Sequence, residues 1–230
     1  MGNASTEFWD RTYRADEDFF GASASSLARS SLALALREVP GGSLLELGCG
    51  TGRDLVYFAQ HGFDVAGCDL SVVAAQVANR RISSLRDEVP PLARVVACDA
   101  FDFLARYPTG RTDLVFSNLF LNLESDPFRL VRLFGAVARV LRGGGLHVFS
   151  VRSVADPGYG KGRLVGPDAF DPGTGGPPLR FFSEVDLRRH ASTGFTLLSL
   201  REHPDGGPEF PVVLWSCVAV RDEEPTPSPP

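Results

Sequence analysis

Three glycines at alternate positions, Gly48, Gly50 and Gly52, follow the apolar run Leu44-Leu45-Glu46-Leu47 and precede a helix start at Arg53-Asp54. Glycines in such a place admit torsions closed to other residues and let a ligand approach the main chain. The spacing is G-x-G-x-G, with Glu46 two residues before the first glycine. A dinucleotide fingerprint is instead G-x-G-x-x-G, grouped around a pyrophosphate. A carboxylate facing the loop would repel a pyrophosphate, but it can accept hydrogen bonds from a cationic amino-acid end. Further on, Asp69, Asp99 and Asn118 each close an apolar run. One carboxylate offers two acceptor oxygens, which suits Asp69 to both hydroxyls of a ribose. Asp99 can accept from the exocyclic amine of a base, with the Ala100 N–H and the Phe101 ring beside it.

Proton acceptors or orienting groups are fewer. His147 and Tyr159 are the candidates for catalysis, with Glu124 and Asp156 behind them. His147 lies within an apolar run and equally suits a core position. Tyr159 sits between two glycines, a mobile place suited to contact with a substrate. Arg152 and Arg180 bracket a Gly/Pro-rich stretch and could bind an anionic acceptor, or hold that stretch by salt bridges. Phe181-Phe182 reads as core, with one ring available to line an acceptor pocket.

The elements that must position these groups alternate. Apolar runs at 43–48, 63–68, 94–98, 113–118 and 146–151 read as strands. Helical patterns lie between them: 53–60, one capped by Ser71 with Val72, Val73, Ala75 and Val77 apolar, and one from Asp126-Pro127 to about Leu141. Gly143-Gly144-Gly145 is expected to end the last of these. Five strand–helix repeats predict a doubly wound α/β sheet with its ligand at the carboxyl ends of the strands. After strand five the rhythm stops. Residues 153–180 are expected to form a lid. A helix capped by Ser183 and two strands, 195–201 and 212–220, then suggest a hairpin at the sheet edge. Ahead of the sheet, Ser25 or Ser26 can cap a helix over about 27–38. The polar lead before it carries Phe8, Trp9, Tyr13, Phe19 and Phe20, which must cover the core edge or a ligand. The expected organisation is a lead and helix at 1–42, a ligand-binding domain at 43–220 and a disordered acidic, Pro-rich tail at 221–230.

With 230 residues, 43% of them hydrophobic, the chain suits one soluble α/β domain. Its net charge of −5 argues against a large nucleic-acid footprint. No apolar run reaches the ~20 residues of a membrane helix, and the first residues lack a signal-peptide pattern. Gly2 with Ser5 and Thr6 is a weak match to an acylation signal, discounted because no basic patch follows. A cytoplasmic protein is expected, as monomer or homodimer. Cys49, Cys68, Cys98 and Cys217 form no C-x-x-C pair, so no metal site is expected and the thiols read as small buried residues.

The stretch Leu44–Asp54 resembles motif I of the class I S-adenosylmethionine-dependent methyltransferases. The segment Gly48 to Ser71, GCGTGRDLVYFAQHGFDVAGCDLS, resembles the branch holding the thiopurine and tellurite-resistance methyltransferases, as do Phe8-Trp9-Asp10-Arg11-Thr12-Tyr13, Phe19-Phe20-Gly21 and Ser25-Ser26-Leu27. The resemblance implies a mostly parallel seven-stranded sheet with an antiparallel last strand, and S-adenosylmethionine as cofactor over the glycine loop. The expected cofactor contacts are Glu46, the loop Gly48, Cys49, Gly50, Thr51 and Gly52, then Asp69 with Leu70, Asp99 with Ala100 and Phe101, and Asn118. Trp9 and Tyr13 would close over them. Phe20, Arg152, Tyr159 and Arg180 are the expected substrate contacts. Asn/Asp-Pro-Pro-Tyr/Phe of the DNA amino-methyltransferases is replaced by Ser117-Asn118-Leu119-Phe120. A small-molecule acceptor is therefore expected, and no nucleic acid or membrane. An oxidoreductase is disfavoured by the glycine spacing. A methyltransferase-like protein without turnover and a protein-modifying enzyme are the alternatives.

Overall fold

The computed structural model describes residues 3–85, 93–206 and 211–223. Gly2, the Pro90-Pro91 break and most of the 221–230 tail lie outside those residues.

Helix α1 spans Asn3–Ala15, and α2 spans Ser26–Glu38. Ser25 caps α2, its Oγ accepting from the Ala28 N–H at 3.1 Å. The alternation then runs β1 Ser43–Leu47, α3 Arg53–Gln60, β2 Asp64–Asp69, α4 Val72–Ser84, β3 Arg94–Ala97, α5 Ala100–Leu104 and β4 Thr112–Asn118. A 3-10 turn, Leu121–Leu123, leads to α6, Pro127–Val140, and β5, Leu141–Arg152. An insertion carries β6 Arg163–Gly166, β7 Ala169–Asp171 and β8 Leu179–Arg180, and the chain ends in α7 Glu184–Ala191, β9 Phe195–Asp205 and β10 Val212–Arg221.

The seven-stranded sheet has the order β3-β2-β1-β4-β5-β10-β9. Strands β1 to β5 pair in parallel, while β10 runs antiparallel to both β5 and β9. Alternate residues of each strand feed opposite faces. Leu44, Val65, Phe116 and Val148 pack with α2, α3 and α4 on one face, and Leu45, Cys68, Val115 and Phe149 pack with α5, α6 and α7 on the other. Helix α6 shows why the layers hold. Leu130, Leu133, Phe134, Val137 and Val140 form one buried stripe, each worth about 1.5–3 kcal/mol. The other face is open: Val131 is half exposed, and so is Val72 at the start of α4, where the apolar sequence suggested burial.

Two expectations change. The triple glycine does not end α6, for β5 starts at Leu141 and runs through it. A bulge opposite Thr112–Leu114 puts Gly145 against strand β4, where a Cβ would stand 3.2 Å from the Asp113 carbonyl oxygen. The lid is no bare loop either, since β6, β7 and β8 make a three-stranded antiparallel sheet of their own. Its two ends meet in a narrow neck. Ser153 and Phe182 form a bridge there, the Phe182 N–H donating to the Arg152 carbonyl and the Val154 N–H to that of Phe182.

Candidate active site

The carboxyl ends of β1, β2, β3 and β4 open into one cavity of about 290 Å³. Its floor is the glycine loop. Gly48, Gly50 and Gly52 all have positive φ, at 66°, 52° and 81°, so the loop can follow this path only with glycine. Each also yields space to a neighbour: a Cβ would stand 2.5 Å from Phe120 Cδ2 at Gly48, 2.9 Å from the Tyr13 hydroxyl at Gly50 and 2.8 Å from Ala78 Cβ at Gly52. Sequence spacing pointed to a ligand near the main chain. The structure adds that these glycines also let the lead and α4 close onto the loop.

Three buried carboxylates surround the loop. Glu46 is 2% exposed, lines the cavity, and has one carboxylate oxygen, Oε2, without a partner. Burial first, then the nearby Asp54 charge, pushes its carboxyl well above the usual range. Asp69 accepts from the Gly50 N–H on one oxygen and the Ser71 N–H on the other, each at 2.9 Å. Each oxygen keeps a lone pair, and burial raises this carboxyl too. Asp54 takes the Ser25 N–H at 2.6 Å and so ties α3 to the start of α2. Such a floor disfavours a phosphate and suits a ligand with a cationic end.

At the end of β3, Asp99 caps α5, Oδ1 accepting from the Phe101 N–H at 2.8 Å. Ala100, first in α5, is at a position where a helix leaves its N–H unpaired. Leu70, Cys49, Cys68 and Cys98 complete this end of the wall, with Arg53 beside the loop. After β4, Asn118 accepts from the Ser150 hydroxyl at 2.5 Å, and Leu119 is held at φ 57°, an uncommon conformation for a residue with a side chain. That turn sends Phe120, Asn122 and Leu123 into the cavity wall.

Two segments form the roof. Helix α1 brings Phe8, Trp9 and Tyr13, and the turn after it brings Phe19 and Phe20. The Trp9 and Tyr13 rings stack at 5.8 Å, with Phe20 against Trp9 at 5.9 Å. Polar ties fix this lead to the floor. Asp10 accepts from the Ser71 hydroxyl at 2.5 Å and the Val73 N–H at 3.3 Å, joining α1 to the first turn of α4. Arg81 donates to Thr51 Oγ1 at 3.0 Å and Asp18 at 2.7 Å, so one guanidinium holds loop and lead together. The insertion supplies Pro172, Thr174, Gly176, Pro177 and Leu179. A Cβ on Gly176 would stand 3.1 Å from the Phe8 ring, which marks the place where the two roofs meet.

Not every expected residue comes to the cavity. His147 does not: it pairs with Val115 in mid-sheet and is fully buried among Phe134, Phe149 and Phe195. Neither ring nitrogen has a partner, and burial lowers its pKa from 6.5 to about 3. It is a neutral core residue, and the catalytic expectation for it is corrected. Tyr159 is likewise displaced. Its hydroxyl donates to Asp168 at 2.8 Å and its ring packs on Phe170 and Phe181, outside the cavity lining. In a strand, neighbouring side chains face opposite ways, so Leu179 lines the cavity while Arg180 turns into the protein over Phe182. Burial lowers the Arg180 pKa, and its Nε and Nη1 lack partners. Arg152 does line the cavity. Asp156 grips it through Nη1 alone, at 3.1 and 3.2 Å, and also accepts the Gly158 and Val213 N–H groups, so Asp156 is a tie and not a base.

Glu124, a candidate from the sequence, does line the cavity, but paired with Arg129; sequence reading missed Arg129 itself and Asn122, whose amide oxygen is buried and unpartnered. Asn122 lies in the short 3-10 turn, which has no periodicity to read, and Arg129 resembled any solvated helix charge.

The family described as "Methyltransferase domain" matches residues 44–145. A curated relative, "Probable thiol methyltransferase 2" of Arabidopsis thaliana, is 28% identical over 124 residues, 52% of this chain and 50% of that protein. The chain thus spans about half the length of the curated relative it matches. The crystal structure of Burkholderia thailandensis 1,6-didemethyltoxoflavin-N1-methyltransferase, with 1,6-didemethyltoxoflavin and S-adenosylhomocysteine bound, superposes with a TM-score of 0.72 at 20% identity, covering 96% of this chain and 88% of that one. That of the [4+2]-cyclase SpnF superposes with a TM-score of 0.68 at 16% identity, covering 96% and 95%. Likeness at this level concerns the fold alone, and the cyclase shows that one fold carries more than one chemistry. The matched span runs from β1 and the glycine loop through Asp69 and Asp99 into β5, and over those residues the chain is similar to this family of methyltransferase domains.

Proposed function

We propose that this protein transfers a methyl group from S-adenosylmethionine to a small-molecule acceptor enclosed between the α1 lead and the β6–β8 insertion. The observation that carries the reading is the cavity's asymmetry. Carboxylates and open main-chain groups gather at the β1–β3 end, and aromatic and aliphatic side chains close the other. The residues fit the cofactor. Glu46 Oε2 suits an ammonium, the spare lone pairs of Asp69 suit the ribose hydroxyls, and Asp99 with the Ala100 N–H suits an adenine edge. Trp9 and Tyr13 exclude water from above.

S-adenosylmethionine supplies a methyl group on a sulfonium, already a good leaving group. The chain's own part is then to align the acceptor and keep the site dry. Phe120, Leu123, Leu133 and Leu179 shape an apolar chamber for the acceptor. Arg152, held at one end by Asp156, keeps its remaining N–H groups for an anionic acceptor. Neither imidazole nor phenol stands free at that end among the described residues, and Glu124 is tied to Arg129 at 2.9 Å. A soft nucleophile that ionises by itself, such as a thiol, suits this chamber best, and the thiol methyltransferase relative points the same way. Closure of the roof where Phe8 meets Gly176 weighs against a polypeptide acceptor, which would need an open groove.

The test is calorimetric titration with S-adenosylhomocysteine, with NADH as the control, followed by a panel of thiols, phenols and amines assayed for methylated product. Binding of S-adenosylhomocysteine alone and turnover of the thiols are expected. NADH binding would sink the cofactor assignment, and turnover confined to amines would sink the soft-nucleophile reading.

A further inference from the structure

Arg129 lies on the first turn of α6 and lines the cavity between its two ends. Its guanidinium is held from three sides. Nη2 donates to Asp99 Oδ2 at 3.2 Å, Nε donates to Glu124 Oε2 at 2.9 Å, and the Phe101 ring lies 4.8 Å from its central carbon. Glu124 is itself anchored, its other oxygen accepting from the Asp126 N–H at 3.1 Å. Asp99 is thereby fixed at both oxygens, Oδ1 by the Phe101 N–H and Oδ2 by Arg129. A carboxylate held by one bond can rotate, whereas one held by two presents its free lone pairs in one plane.

We infer that Arg129 is a specificity-determining residue for the purine of the cofactor: it locks Asp99 as an acceptor beside the Ala100 N–H donor, a pattern that takes a 6-aminopurine and refuses a 6-oxopurine. The inference rests on the proposed placement of the cofactor base at Asp99. Adenine offers a donor at its exocyclic nitrogen and an acceptor at the adjoining ring nitrogen. A 6-oxopurine offers the reverse, so its oxygen would face the carboxylate and its ring N–H the Ala100 N–H. Buried polar groups left unpaired in this way give strong discrimination. The discrimination depends on Asp99 being unable to turn aside, and the bond from Arg129 prevents that.

The experiment measures equilibrium binding of S-adenosylhomocysteine and S-inosylhomocysteine to the wild-type protein, Arg129→Met and Glu124→Gln, with melting temperatures of the free proteins alongside. The wild type should prefer the adenosyl compound by about 100-fold or more. Arg129→Met should bind the adenosyl compound about 10-fold more weakly and lose most of the preference, as expected for one charge-assisted hydrogen bond. Glu124→Gln keeps Arg129 but removes one anchor, so its preference should fall between the two. An equal loss of affinity for both compounds in Arg129→Met, or an unchanged preference in both variants, overturns the inference. Wild-type binding of neither compound would overturn the cofactor reading and this inference with it, whereas adenosyl binding without preference would overturn the inference alone.

Discussion

The floor and the roof of the cavity are built on different principles. The floor is main chain and short carboxylates at the ends of β1, β2 and β3, fixed by the parallel ladder and by bonds such as Asp69 to the Gly50 and Ser71 N–H groups. The roof is side chains from two segments more than a hundred residues apart, resting on each other at Phe8 and Gly176. Floor positions are set by sheet geometry, so only a few residue types work there. Roof positions need bulk and apolar surface, which many residues supply. A fixed cofactor and a variable acceptor would call for that division.

The sharpest way to break the comparison is at the floor. Asp69→Ala should weaken S-adenosylhomocysteine about 10- to 150-fold, the value of one charge-assisted hydrogen bond of about 1.5–3 kcal/mol. Unchanged affinity by calorimetry would remove the ribose from Asp69.

His147→Leu tests whether the core hides a base. The folded His147 pKa lies near 3 against 6.5 for the free side chain, so the unfolded chain takes up the proton first. Wild-type stability should therefore fall by about 1.4 kcal/mol per pH unit as pH drops below 6.5 toward 3 on account of this residue. The variant should lack that slope in denaturant titrations and keep cofactor binding and turnover at neutral pH. Lost turnover in a stable variant would restore His147 to the mechanism.

Glu46→Gln addresses the cationic end of the cofactor. The raised Glu46 carboxyl, near Asp54, Asp69 and Arg53, must give up its proton to pair with an ammonium. Binding then releases a proton, and affinity should rise with pH by at most about tenfold per unit until Glu46 is ionised. The variant should bind more weakly and without that rise. A wild-type affinity that falls with rising pH would contradict the pairing.

At the roof the effects shrink. Phe8→Ala should raise the acceptor half-saturation about 2- to 10-fold, the worth of an aromatic contact, with S-adenosylhomocysteine affinity unchanged. Equal losses for both ligands would mean that floor and roof are not separable.

The same division explains what could be read before folding. The glycine loop, Asp69 and Asp99 were legible because a parallel sheet places strand ends together and the residues allowed there are few. The cap residues Ser25, Ser71, Asp126 and Ser183 were legible for a similar reason, each acting within three residues of itself. His147 and Tyr159 were misplaced because a residue type reveals what chemistry is possible, and only packing decides which face of a strand or lid it turns to. Arg180 shows this most plainly, since one position along β8 separates it from a lining residue. Arg129 was invisible because its partners, Asp99 and Glu124, belong to different loops.

The neck at Ser153 and Phe182 gives the roof a separate fate from the floor. Residues 154–181 leave and rejoin the domain beside one bridged pair, with Asp156 just inside it tied to Arg152 and the Val213 N–H, so length added beyond Asp156 enters the folding free energy only logarithmically, about 0.6 kcal/mol per doubling. A segment so attached can be lengthened, shortened or exchanged with another of its kind while the β5–β10 pairing beneath stays in register. Grafting at this neck is a route to new acceptors on an unchanged cofactor platform, and it offers natural divergence the same route.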